Sequence, residues 1–341
     1  MLTPPAEGDA ADTKRKAVQA GLDEALLEKR RRSSDPAKTL TANGFVVGEI
    51  IGHGAFSIVK KAYWTQGNSY VAIKIMSKAT ASQMMLEKYV PRELDIIRDV
   101  RHENIIRFLE VIETTMRYYI VMQYAEKGSF LRLLRTEGRV AEVRARNYFS
   151  QLLCAVQYLH NNGIAHRDIK CDNVTLDAED RVKLIDFGFS SRLWAAGNDH
   201  STVNVEARLS STYCGSYAYA SPEILQFKPY DPISADIWAC GVVLYALLFA
   251  KLPFTNDKSS STVLKSIAKG VQFPSKVTVS DDVKYLLKQI FMPVKQRLTL
   301  AQVRRSVWFY VELQDAPYPA DGKSTAGKNE SPAIDALDNK K

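Results

Sequence analysis

The chain has 341 residues, more than one ordinary domain core holds, so two lobes or a domain with tails are expected. Its 46% hydrophobic and 25% charged residues are ordinary for a soluble globular protein, and the formal charge of +8 suits acidic partners (nucleotides, acidic proteins or nucleic acid) without choosing among them. The cysteines, Cys154, Cys171, Cys214 and Cys240, form no Cys-x-x-Cys pair, which argues against a zinc site or disulfide framework and for a reducing compartment. Met1-Leu2-Thr3-Pro4-Pro5 reads as neither a signal peptide nor a myristoylation site. The most apolar run, Ile237 to Ala250, is shorter than a membrane span and is expected to be a buried core helix.

Residues 1–44 read as a disordered or weakly helical basic tail, with Val18, Leu22, Ala25 and Leu26 at helical spacing. Lys29-Arg30-Arg31-Arg32 is either a solvated charge run or a nuclear-import or docking patch. Strand patterning starts at Phe45 and leads into Ile51-Gly52-His53-Gly54-Ala55-Phe56-Ser57-Ile58-Val59. Two glycines flanking one residue allow a tight turn whose N–H groups can approach phosphate oxygens, although a plain hairpin turn has the same sequence. In the next strand, Tyr70 to Met76, Lys74 interrupts an apolar run and needs a carboxylate or phosphate partner. Glu93, in a helical pattern, is the candidate. Further strands are expected from Ile105 to Ile112 and from Tyr118 to Gln123, then a hinge over Tyr124 to Ser129.

Beyond the hinge, Tyr148, Leu152, Leu153, Val156 and Leu159 mark one apolar helix face, stopped by Gly163. The polar stretch His166-Arg167-Asp168-Ile169-Lys170-Cys171-Asp172-Asn173 follows. It gathers a carboxylate, an amine and an amide able to orient a hydroxyl, hold a phosphate and bind a metal ion. A hairpin, Val174 to Ile185, then ends in Asp186-Phe187-Gly188, where a strand-end carboxylate beside a glycine turn can ligate a hard cation. The long hydroxyl-rich segment from Phe189 to Ser221 reads as a functional loop, closing with Thr212-Tyr213-Cys214-Gly215-Ser216 and Ser221-Pro222-Glu223. Helical patterns continue to Trp308-Phe309, and residues 310–341 read as a disordered tail.

The glycine-rich loop, Val71-Ala72-Ile73-Lys74, the His166–Asn173 stretch, Asp186-Phe187-Gly188 and Ser221-Pro222-Glu223 occur in the order found in eukaryotic protein kinases, which this chain resembles over residues 45–309. Lys170, two residues after Asp168, is similar to serine/threonine rather than tyrosine kinases. Lys170-Cys171-Asp172-Asn173, Asp186-Phe187-Gly188-Phe189-Ser190 and Cys214-Gly215-Ser216-Tyr217-Ala218-Tyr219 look most like the testis-specific serine/threonine kinases, near the calmodulin-dependent kinase group. The resemblance implies an α+β, bilobal kinase fold. Its small, mostly antiparallel β N-lobe would span about 45–124 with one key helix, and its larger, mostly helical C-lobe about 125–309.

It also implies ATP and Mg²⁺ as cofactors, protein substrates, an upstream activating kinase, no membrane or specific nucleic-acid partner, and a monomer in the cytoplasm or nucleus. Asp168 would take the proton of a substrate hydroxyl and Lys170 would hold the transferring phosphoryl group, while Asn173 and Asp186 would ligate Mg²⁺. Lys74, aligned by Glu93, would grip phosphates covered by the backbone of Gly52 to Ser57. Adenine would lie against Val59, Ala72 and Thr175, its edge at Gln123 and Ala125, with Met122 at the back of the pocket. Arg167, with Arg192 as second contact, would receive a phosphate on Thr212. Ser216 would hydrogen-bond Asp168, and Glu223 would pair with Arg297.

Several departures stand out. Ser57 replaces a usual glycine. Thr175 sits where an aliphatic residue normally floors the adenine, so its hydroxyl needs a partner. Ser129 replaces an acid common in Arg-directed kinases, leaving Asp172 as the candidate acid there, and residues 195–208 lengthen the loop. Because Lys74, Asp168, Asn173 and Asp186 are all present, an active kinase is expected over a pseudokinase scaffold.

Overall fold

The computed structural model describes residues 35–54, 57–193, 210, 217–257 and 259–310. Ala55, Phe56, Thr212, Cys214, Ser216, residues 195–208 and both tails up to 34 and from 311 lie outside them. Contacts divide the chain into two compact units. One comprises the described residues up to Ala81 together with Glu110–Met122, the other Ser82–Leu109 and the described residues from Gln123 onward.

The first unit opens with helix α1 (Pro36–Ala42). Asp35 caps it, accepting the N–H of Ala37 at 2.9 Å, and Pro36 supplies a preset φ at the first turn. Leu40 is fully buried and Gly44, at φ +81°, turns the chain into β1. Ordered core structure therefore begins inside the stretch 1–44 that sequence patterning gives to a tail. The sheet comprises β1 (Phe45–His53), β2 (Ser57–Trp64), β3 (Ser69–Ser77), β4 (Phe108–Glu113) and β5 (Arg117–Gln123), in the order β1-β2-β3-β5-β4. Central β3 buries Val71, Ala72, Ile73, Ile75 and Met76, which explains its nearly continuous apolar run. The β1–β2 register slips between Val47 and Gly52, an irregularity of the kind that twists a hairpin.

In the second unit a π-helical turn, Met85–Tyr89, leads into α2 (Val90–Asp99), which has Pro91 in its first turn. Next come β6 (Gly128–Ser129), α3 (Phe130–Glu137), α4 (Glu142–Asn161), β7 (Ile164–Ala165), the hairpin β8 (Val174–Leu176) and β9 (Val182–Leu184), and β10 (Ser191–Arg192). After these come α5 (Pro222–Leu225), α6 (Pro232–Phe249), α7 (Ser260–Ala268), α8 (Asp281–Ile290), α9 (Leu300–Arg304) and a 3₁₀ turn, Val307–Phe309, whose Trp308 is fully buried. Helix α6 is capped by Asp231 and buried on nearly every side, so it is apolar all round rather than amphipathic. Among the described residues it alone is long and apolar enough to cross a membrane, and 89% of that window is buried inside the protein, as expected for a core helix.

One expectation is corrected. The strand expected over Ile105 to Ile112 runs from Phe108 to Glu113; Ile105 instead forms a parallel bridge to Leu184, and the N–H of Ile106 donates to the Leu184 carbonyl. Helix α2, which carries Glu93, groups by its contacts with the larger unit. The reason lies in its polar contacts and those of the chain just after it: Asp95 and Asp99 pair with Arg192, the Arg101 N–H donates to Tyr158 Oη, and Asn104 bonds Gln151 and the Val182 carbonyl.

Candidate active site

Within the larger unit, the site grows from the segment between β7 and β8. Asp168 is 5% exposed, and its Oδ2 accepts from Lys170 Nζ and from Asn173 Nδ2, both at 2.9 Å. Asn173 Nδ2 also donates to the Asp168 carbonyl at 2.9 Å. With its amide nitrogen committed to Asp168, Asn173 presents its carbonyl oxygen to a ligand. Burial pushes the Asp168 carboxyl above its ordinary range, and Lys170 pulls it only part of the way back. For Lys170, burial alone would lower the ammonium, but the Asp168 carboxylate outweighs it and the net shift is upward.

Asp186 is brought beside this group by the β8–β9 hairpin and the Ile185 N–H, which donates to the Asn173 carbonyl at 2.9 Å. It adopts a left-handed conformation (φ +62°), and its Oδ1 accepts from the Gly188 N–H. The Thr175 hydroxyl, an open question in the sequence, donates to the Lys183 carbonyl at 2.9 Å and is thereby satisfied inside the hairpin. His166 packs edge-on against Phe187, with ring centroids 5.2 Å apart, and bonds the Ile185 carbonyl. That is a structural role.

Arg167 also has positive φ (+65°). Its Nε donates to the Phe189 carbonyl at 2.7 Å and its Nη1 to Ser210 Oγ at 3.3 Å, whereas Nη2 is buried with no hydrogen-bond partner among the described residues. Arg192, expected as a second phosphate contact, is instead engaged by Asp95 and Asp99 of α2. Arg297 and Glu223 form a bidentate pair at 2.6 and 3.0 Å. Burial would raise that carboxyl, but Arg297 holds it below its usual range. A small concavity of about 20 Å³ lies beside Asp168, walled by Tyr219, Ala220, Ile224 and Tyr230.

Glu93 is buried on α2. Gln123 and Ala125 start the chain into β6. The Gln123 N–H is committed to the Arg107 carbonyl at 2.8 Å, so Gln123 has its carbonyl for a ligand edge. In the smaller unit, Ile51, Gly52, His53, Gly54, Ser57, Ile58 and Val59 form the β1–β2 hairpin, closed by the Gly54 N–H donating to the Ser57 carbonyl at 2.7 Å. A Cβ on Gly54 would meet Ser57 Oγ at 2.6 Å, a contact that a turn of the Ser57 side chain would relieve. Lys74 pairs in register with Val59, and Ala72 with Lys61.

Sequence reasoning missed Asp236. This residue of α6 is 1% exposed; its Oδ2 accepts the His166 N–H and its Oδ1 the Arg167 N–H, both at 2.8 Å, and His160 Nε2 lies 3.0 Å from Oδ2. The signal was present: an acid at the head of an otherwise apolar helix must be hydrogen-bonded if buried.

Residues 45–309 match the family model for the protein kinase domain, and the chain belongs to that family. Within it, the chain is 39% identical to human testis-specific serine/threonine-protein kinase 4 over 270 residues, covering 78% of this chain and 82% of that protein. It is 35% identical to human testis-specific serine/threonine-protein kinase 1 (86% and 80% covered) and 39% identical to mouse testis-specific serine/threonine-protein kinase 3 (74% and 91% covered).

Replacing Asp236 with Asn would set an amide N–H against a backbone N–H in a dry site. Asp236→Asn is expected to cost about 1–3 kcal/mol in urea unfolding and to lower turnover. Unchanged stability and turnover would show that the carboxylate does not hold the loop.

Proposed function

We propose that Asp168 orients and deprotonates a substrate hydroxyl while Lys170 neutralises the phosphoryl group transferred to it. The chain is an ATP-dependent protein serine/threonine kinase acting on protein substrates, and the pseudokinase alternative is not favoured. The observation that carries the site assignment is the single carboxylate oxygen of Asp168 shared by Lys170 and Asn173. An in-line transfer needs positioning and charge neutralisation more than covalent help, and this arrangement supplies both.

The donor set fits a hard cation. The Asn173 carbonyl oxygen and the Asp186 carboxylate are oxygen ligands of the kind Mg²⁺ prefers, with phosphate oxygens and water to complete its shell. Bound there, Mg²⁺ supplies charge neutralisation on the phosphates. Lys74, aligned by Glu93, and the N–H groups of Gly52 to Ser57 are the proposed phosphate contacts. Val59, Ala72, Gln123 and Ala125 are the proposed adenine contacts.

The reading extends to regulation through Arg167. A half-buried arginine whose Nη2 is buried and unpartnered gains charge-assisted hydrogen bonds from an anion. Thr212 is the proposed carrier of that anion, phosphorylated by an upstream kinase.

Transfer of labelled phosphate from ATP·Mg²⁺ to serine or threonine of a generic basic protein is expected for the wild type, and its loss for Asp168→Asn. Transfer that persists in Asp168→Asn, or that neither protein shows, overturns the assignment. In purified, phosphorylated protein, Thr212→Ala is expected to lower turnover severalfold; identical kinetics would rule out Thr212 as the regulatory site.

A further inference from the structure

Arg192 joins two parts of the larger unit that meet at the catalytic loop. Its strand, β10, pairs antiparallel with β7, Ser191 opposite Ala165 and Arg192 opposite Ile164. Strand β7 runs directly into His166-Arg167-Asp168, so the Arg192 backbone is fixed to the root of that loop. The Leu193 N–H, donating to the Gly163 carbonyl at 2.7 Å, secures the same junction from the other side.

From this fixed base the guanidinium reaches α2. Its Nε donates to Asp95 Oδ2 at 2.9 Å, and its Nη2 to the Asp99 carboxylate. Asp95 and Asp99 are four residues apart and share one helix face. A planar guanidinium with separated donors can serve two carboxylates at once, as an ammonium cannot with the same geometry. No other hydrogen bond to either carboxylate is present among the described residues. A second contact joins the same segments nearer the start of the helix, where Tyr89 lies edge-on to Phe189 with centroids 6.5 Å apart. Between these anchors sits Glu93, and just ahead of them the π-helical turn Met85–Tyr89 interrupts regular α geometry where the helix begins.

We propose that Arg192 is a positioning residue, clasping Asp95 and Asp99 so that α2, and with it Glu93, is held in register with the root of the catalytic loop. This rests on the kinase reading above, because Glu93 matters to activity only if Lys74 contacts nucleotide phosphate. The clasp needs no modification of the chain, since both of its sides are the protein's own charges. It also accounts for Arg192 facing α2 rather than Arg167.

The test uses the full chain in four forms: wild type, Arg192→Ala, Asp95→Asn/Asp99→Asn, and the triple variant. Two readouts are followed, hydrogen exchange of the α2 amides and steady-state kinetics with varied ATP. The clasp predicts that Arg192→Ala and the double Asn variant each speed α2 exchange and raise KM for ATP several-fold, with kcat changing less. It further predicts that the triple variant is no worse than either, because all three remove the same interaction. Arg192→Lys should recover only part of the loss. Unaltered α2 exchange in Arg192→Ala, or an unaltered KM for ATP in the double Asn variant, would make the contact an ordinary surface ion pair and overturn the proposal. A wild type that transfers no phosphate would overturn the kinase reading instead, and α2 exchange would still decide for or against the clasp.

Discussion

The catalytic segment depends on one buried carboxylate. Asp236 receives the consecutive N–H groups of His166 and Arg167, and Arg167 sits in the left-handed region that costs an L-residue roughly 1–2 kcal/mol. Charge-assisted hydrogen bonds to two amides are strong enough to hold that conformation. The carboxylate is rigid because α6, which carries it, is buried on nearly every side. With the backbone fixed there, Asp168 leaves the loop in one direction and the Arg167 side chain in another. The Asp168 carboxylate therefore meets Lys170 and Asn173 while the Arg167 side chain meets Phe189 and Ser210.

Around Asp168 the electrostatics oppose one another in a useful way. Burial works against its charge, while Lys170 and the amide of Asn173 work for it. Its carboxylate form is thereby a stronger proton acceptor than an exposed carboxylate. Asp186 stands close enough to raise Asp168 further. In the proposed mechanism, Mg²⁺ held by Asp186 and Asn173 would relieve that repulsion and so link nucleotide binding to activation of the hydroxyl.

Much of this was legible in the sequence because the chemistry is concentrated in short, ordered motifs. Asp168, Lys170, Asn173 and Asp186 could be named from their ordered motifs and the family resemblance those carry, and the structure brings them together. The Arg297–Glu223 pair, implied by the resemblance, also forms. What escaped was long-range pairing. Nothing local in the sequence ties Asp236 to His166, or Asp95 to Arg192, because those contacts exist only once α6 and α2 have packed. Arg192 looked like a phosphate ligand because its charge was visible and its partners were not. Helix α1 was missed because its contribution to the core is essentially one residue, Leu40, in a stretch that is otherwise polar. The satisfied hydroxyl of Thr175 belongs with these, since its partner is a backbone carbonyl that composition cannot reveal.

The account stands on Asp168 acting as an ionised base whose pKa is raised by burial and restrained by Lys170. Because the ionised form is the active one, activity is lost as pH falls through that pKa, and a raised pKa moves the loss to higher pH. The pH dependence of kcat/KM, measured for the wild type and for Lys170→Met, tests this most directly. The account predicts an acid limb above the ordinary aspartate value of about 4 in the wild type, moving to still higher pH once the ammonium is removed. A limb at the ordinary value in both proteins would contradict it.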